Sequence, residues 1–168
     1  MVRRVVLAAV LAAVLCPAVP AAQEVVFLVR HAEKEIDSDE PGVGLSKAGH
    51  VRAEHLASLL REAGVTGIYI SATRRTRQTA EPLAKMLGLK PKTYEVTRMR
   101  GEYDFSGLIK DLRQERVALV VGHANTVPEN IRQLGYAPPL EITSQEFDNL
   151  FILIPQKDGP PRVIRLRY

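Results

Sequence analysis

Two unbroken apolar runs, residues 25–29 and 117–121, constrain this chain more than any other feature. Neither alternates polar with apolar positions. A strand that reads this way is covered on both faces, as in a parallel sheet held between helical layers. The first run ends in Arg30-His31 and the second in Gly122-His123. In open α/β sheets, ligands bind in the crevice beyond the carboxyl ends of the strands. An Arg-His pair at one strand end, taken alone, reads first as a solvated turn. A second histidine at the same place on a second strand turns the pair into a candidate site.

The segments between and after these runs fill in an α/β pattern. Residues 33–44 are acidic, with Pro41 and two glycines, and read as a loop. Residues 45–64 read as a helix capped by Ser46, striped by Val51, Leu56, Leu59 and Leu60, and ended by Gly64. Residues 66–71 form a second strand, and residues 72–88 a second helix ended by Gly88. Its first turns carry Arg74, Arg75 and Arg77, against the helix macrodipole, which makes sense where an anion binds the helix start. A weaker strand is expected over 91–96, irregular chain over 97–104, and a helix over 105–114. After the buried strand at 116–122 a helix runs to Leu134, and residues 149–155 and 162–167 pair around Asp158-Gly159-Pro160. Strands alternating with helices mean a three-layer α/β/α sandwich with a mostly parallel central sheet.

With 168 residues, one domain is expected. Arg3 and Arg4, an apolar stretch over 5–15, and the small and helix-breaking residues that follow have the layout of a secretory signal peptide. The expected division is a cleaved signal over 1–21 and a single domain over 22–168, exported and periplasmic, without a membrane span in the mature chain. Cleavage removes Arg3 and Arg4 and lowers the formal net charge of +4 by two. The remaining basic balance is too small to argue for nucleic acid. Cleavage also removes Cys16, the only cysteine, and with it any thiol nucleophile.

Three strand ends thus carry Arg30-His31, Arg74-Arg75 and Gly122-His123. If the strands are neighbours, two imidazoles and two or three guanidiniums converge on one pocket, cationic and rich in N–H donors, as suits a phosphoryl group. A metal would want a carboxylate or third histidine in company, and fixed cations would repel it. His50 and His55 stand five apart on the first helix, do not share a face, and read as solvated.

Arg30-His31-Ala32, Ser71-Ala-Thr-Arg-Arg75-Thr-Arg-Gln-Thr-Ala80 and Gly122-His123, with Leu45-Ser46-x-x-Gly49 and Arg52-Ala53 between them, resemble the histidine phosphatase superfamily, also called phosphoglycerate mutase-like. The resemblance runs from about residue 25 to 127. It implies a metal-independent, cofactor-free phosphatase acting on a phosphomonoester or phosphohistidine. His31 would be the nucleophile, forming a transient phosphohistidine, with Arg30, Arg75 and His123 holding the phosphoryl oxygens. Asn125 and Thr126 would add substrate contacts, Thr126 also capping a helix. The substrate would be a phosphorylated small molecule, glycan or protein.

Because His31 must be unprotonated at its attacking nitrogen, a backbone carbonyl is expected on its other N–H. Ala32 stands where the family carries glycine, tolerable at negative φ. The leaving-group acid is not obvious; Glu102 is the favoured candidate over Asp104 and Glu33. The alternatives are a non-catalytic phosphate- or phosphoglycan-binding module and, behind it because the family's mutases carry longer insertions than this chain has room for, a phosphoglycerate mutase.

Overall fold

The computed structural model describes residues 23–37 and 39–168; the expected signal segment lies outside them. Six strands form the central sheet, in the order β3-β2-β6-β1-β7-β8. They are β1 (Val25–Arg30), β2 (Gly67–Ile70), β3 (Lys92–Thr93), β6 (Val117–Gly122), β7 (Asn149–Ile154) and β8 (Arg162–Arg167). β3, β2, β6 and β1 run parallel, whereas β7 and β8 close one edge antiparallel. β4 (Thr97–Met99) and β5 (Glu102–Asp104) make a separate two-stranded hairpin.

The apolar runs behave as strands covered on both faces. Phe27 and Val29 of β1, with Leu119 and Val121 of β6, pack under α1 (Lys47–Leu60) and α2 (Arg74–Leu87). Val26, Leu28, Ala118 and Val120 point the other way, against α3 (Ser106–Leu112) and α4 (Thr126–Gln133). Two cores on opposite faces make the expected α/β/α sandwich, at about 1.5–3 kcal/mol for each large apolar side chain fully withdrawn from water. Among the described residues, no helix is long and apolar enough to cross a membrane.

Ser46 caps α1 as expected, its side chain accepting from the Gly49 N–H, and Gly88 ends α2 in the left-handed region. The buried stripe of α1 keeps Leu56 and Leu60 of the one expected and adds Gly49, Ala53 and Ala57, while Val51 and Leu59 are exposed. Gly49 is required because a Cβ there would run into the Glu33 backbone, and Ala53 packs against Ala32 and Leu45 beside the end of β1. Residues 97–104 are not irregular. Their hairpin turns on Arg100 (φ 54°) and Gly101 (φ 88°), two successive left-handed residues that match the twist of paired strands. The strand expected over 91–96 shrinks to Lys92–Thr93, leaving Tyr94 buried and the chain free to turn toward the cleft.

Candidate active site

Backbone register brings the distant residues together. Arg30 lies opposite Gly122 and Ile70 opposite Val121, so β2, β6 and β1 end at one level. Pairing continues one step further, with the His31 N–H donating to the Gly122 carbonyl (3.0 Å). The two imidazoles meet edge to face, ring centroids 5.3 Å apart. The expected convergence of Arg30, His31, Arg75 and His123 is present, on the floor of a cleft of about 670 Å³ that Ser71, Asn125 and Thr126 also line.

Gly122 is fixed by crowding, since a Cβ there would meet Thr126 Oγ1 at 2.9 Å and the Tyr94 hydroxyl at 3.0 Å. Those two side chains press directly under the turn that carries His123. Thr126 does not cap α4 from outside, as expected; it is the first helical residue, and its hydroxyl accepts the His123 backbone N–H (2.9 Å). Asn125 donates to the Tyr103 hydroxyl (2.6 Å), tying β5 to the site.

His31 is 3 % exposed, and its Nδ1 lies 2.8 Å from the Ala32 carbonyl. A carbonyl can only accept, so Nδ1 carries the proton and Nε2 keeps its lone pair. The expected carbonyl partner is therefore the neighbouring one in sequence. Burial, then the facing His123 and the two guanidiniums, push the His31 pKa down to about 3. Burial and Arg75 bring His123 down to about 4. Both rings are neutral near pH 7. His123 Nε2 stands 2.8 Å from Ser71 Oγ. Ala32 has no positive φ, Arg100 being the only non-glycine residue that does among those described. Its N–H reaches Thr79 Oγ1 (3.0 Å), and its methyl is enclosed by Leu45 and Ala53.

Both arginines are buried, 6 % and 4 % exposed, yet neither is paired with a carboxylate. Arg30 Nη1 donates to the carbonyls of Thr143, Ser144 and Glu146. Arg75 Nη1 donates to the Glu40 carbonyl (3.0 Å). Carbonyls orient a guanidinium without cancelling its charge, so the floor keeps its cations for an anion. The Nε of each is buried with no partner. Arg74 and Arg77, by contrast, are exposed.

None of the expected acids reaches the cleft. Glu102 is exposed on β5, outside the lining. Asp104 accepts from the Ser106 N–H at the start of α3. Glu33 takes a two-pronged contact from Arg52, at 2.9 Å from Nε and 2.7 Å from Nη2. The carboxylates lining the cleft are Asp37, Asp39 and Glu95. Asp37 and Asp39 both face the Lys34 ammonium, and that ammonium lowers the Asp39 pKa. Glu95 follows the buried Tyr94, a position the expected strand over 91–96 concealed.

Residues 26–98 match the family model of the histidine phosphatase superfamily, branch 1. The fold is that of phosphoglycerate mutase-like proteins. It resembles an Escherichia coli K-12 protein described as an alpha-ribazole-5'-P phosphatase, with TM-score 0.69 and 14 % identity over 87 % of this chain and 97 % of that one. It also resembles the protein histidine phosphatase SixA complexed with tungstate, with TM-score 0.64 and 19 % identity over 85 % and 96 %. A third is a mycobacterial glucosyl-3-phosphoglycerate phosphatase with inorganic phosphate, with TM-score 0.63 and 14 % identity over 86 % and 96 %. Over 75 residues the chain is 39 % identical to the PE-PGRS family protein PE_PGRS11 of Mycobacterium tuberculosis strain H37Rv, which is 40 % of this chain and 13 % of that protein. The chain thus matches only a small part of that relative's length.

Proposed function

We propose that the chain is a histidine phosphatase that transfers a phosphoryl group to Nε2 of His31 and then to water. The observation carrying this reading is the Nδ1–H of His31 held by the Ala32 carbonyl, with the unprotonated Nε2 on a floor shared with Arg30, Arg75 and His123. In the first step the Nε2 lone pair forms a P–N bond as the bond from phosphorus to the leaving atom breaks. The leaving atom takes a proton from the cleft or departs as an anion. In the second step water forms a P–O bond, the P–N bond returns its electrons to Nε2, and the water proton passes to the cleft. Arg30, Arg75 and the N–H of His123 stabilise the charge on the phosphoryl oxygens through both steps. Asn125 and Thr126 supply further polar contacts to the bound group.

Glu95 is the acid in this scheme, because Asp37 and Asp39 share the Lys34 ammonium. Phosphohistidine and activated esters, which need little protonation on departure, are the favoured substrates. The test is hydrolysis of p-nitrophenyl phosphate and of a phosphohistidine peptide by the wild type and His31→Ala. Turnover confined to the wild type supports the reading; equal turnover rejects the nucleophile. Export of the mature domain is a separate proposal, supported by the sequence pattern of residues 1–21 alone. Cell fractionation and the amino-terminal sequence of the secreted chain test it.

A further inference from the structure

Arg30 is gripped more elaborately than any other side chain on the floor. Its Nη1 donates to three carbonyls, of Thr143 (2.9 Å), Ser144 (3.0 Å) and Glu146 (2.9 Å). The Phe147 ring covers the guanidinium at 3.8 Å. All four residues belong to the last stretch of the connection from α4 into β7. Because β7 runs antiparallel to β1, the entry to β7 lies beside the end of β1, next to Arg30.

That loop is closed by one side chain. The Glu146 N–H donates to the Thr143 carbonyl (3.2 Å), and Glu146 Oε2 accepts the Thr143 N–H in return (2.8 Å). The second bond is the Glu half of a capping box; the first is an ordinary backbone turn, since the Thr143 carbonyl and not its hydroxyl takes the Glu146 N–H. The other oxygen of Glu146 accepts from Arg165 (3.0 Å) and Arg167 of β8, anchoring the turn to the edge strand.

We propose that Glu146 is a positioning residue for phosphate binding, acting through Arg30. Its reciprocal bond to Thr143 keeps three carbonyls aimed at Nη1. With that nitrogen committed and one face covered by Phe147, the guanidinium cannot rotate, and its remaining donors stay available for the anion. Losing the turn leaves the charge in place but frees its orientation, which costs affinity because bidentate contact to phosphate depends on geometry. The inference rests on the phosphate-site reading given above.

The test measures the affinity of the full chain for inorganic phosphate by calorimetry, with a thermal melt on each variant. Glu146→Ala and Glu146→Asp both lose the bond to Thr143, Asp because its carboxylate is one methylene short. Both are expected to bind phosphate about tenfold more weakly. Glu146→Gln keeps an oxygen for the Thr143 N–H while giving up the charge toward Arg165 and Arg167, and is expected to bind within about twofold of the wild type. In an Arg30→Ala background, Glu146→Asp is expected to add less than about a twofold change, since both act on one contact. In turnover of p-nitrophenyl phosphate, the Asp variant raises KM more than it lowers kcat. If Gln binds as weakly as Asp, or if the Asp effect persists undiminished without Arg30, the positioning role is overturned and Glu146 serves only the fold. If Arg30→Ala itself binds phosphate like the wild type, the phosphate-site reading falls with it. The Asp and Gln variants carry the comparison should Glu146→Ala fail to fold.

Discussion

The floor and the rim of the cleft are built on opposite plans. On the floor, Arg30, His31, Ser71 and Arg75 are buried at the ends of parallel strands, and each polar group is oriented by backbone or by a hydroxyl: Ala32 O for His31, three loop carbonyls for Arg30, Ser71 Oγ for His123. The rim is an exposed acidic loop carrying Asp37 and Asp39 on one side, and Glu95, Val96 and Tyr103 on the other. Its contacts use exposed carboxylates, such as Asp37 and Asp39 on the Lys34 ammonium, and pairs with an exposed partner contribute little and are screened by salt. Under the proposed function the difference separates two jobs: the rigid cationic floor would perform the phosphoryl chemistry, and the soft polar rim would meet the leaving group.

This division is broken most readily by the nucleophile. His31→Ala is expected to lower kcat for p-nitrophenyl phosphate by at least about a thousandfold, since it removes the imidazole whose Nδ1–H is held by a carbonyl and whose Nε2 keeps its lone pair. Arg75→Ala comes next, at about a hundredfold in kcat/KM, because it removes a charge held by a neutral carbonyl and so fully available to the substrate. Both effects are read by steady-state kinetics, and a rim substitution of equal size would erase the distinction.

A smaller effect concerns stability. The His31 and His123 pKa values are depressed to about 3 and about 4, against about 6.5 in an unfolded chain. Below about 6.5 the unfolded state therefore binds more protons than the folded one, and stability falls as the pH drops toward 4. The loss is at most about 1.4 kcal/mol per pH unit for each ring, and less for the partly exposed His123. Urea midpoints at pH 7 and pH 5 check this. His31→Asn should show a shallower decline than the wild type, and an unchanged decline would mean that the ring is not desolvated.

The rim is sharpened by Glu95→Gln. It is expected to slow phenyl phosphate about tenfold and p-nitrophenyl phosphate by less than about threefold, as the poorer leaving group needs the proton more. Equal slowing of both would remove Glu95 as the acid. Arg98→Ala, on the exposed face of the hairpin where it touches Tyr103, should change either rate by less than about twofold.

Much of the floor was legible in the sequence, because it depends on strong local patterns. The runs that form β1 and β6 can only be doubly covered strands, and the residues just past them must share one edge of the sheet. Less was legible where tertiary packing decided. Val51 and Leu59 look like core residues by spacing, yet the inward face also takes Gly49, Ala53 and Ala57, with Gly49 against the Glu33 backbone and Ala53 against Ala32 and Leu45. Glu102 is expected as the acid from its place in the segment before the last buried strand; pairing of β4 with β5 puts it outside the cleft and brings Tyr103 in. The cradle around Arg30 leaves almost no trace, since backbone carbonyls have no side-chain signature. Only the Thr143-x-x-Glu146 spacing marks it.

Rapid mixing with a labelled phosphohistidine donor, quenched in alkali and followed by peptide mapping, tests the nucleophile directly. One phosphoryl group should appear on the peptide containing His31, survive base, vanish in acid and be absent from His31→Ala. Label that survives acid, or that maps to any other residue, contradicts phosphoryl transfer to that ring.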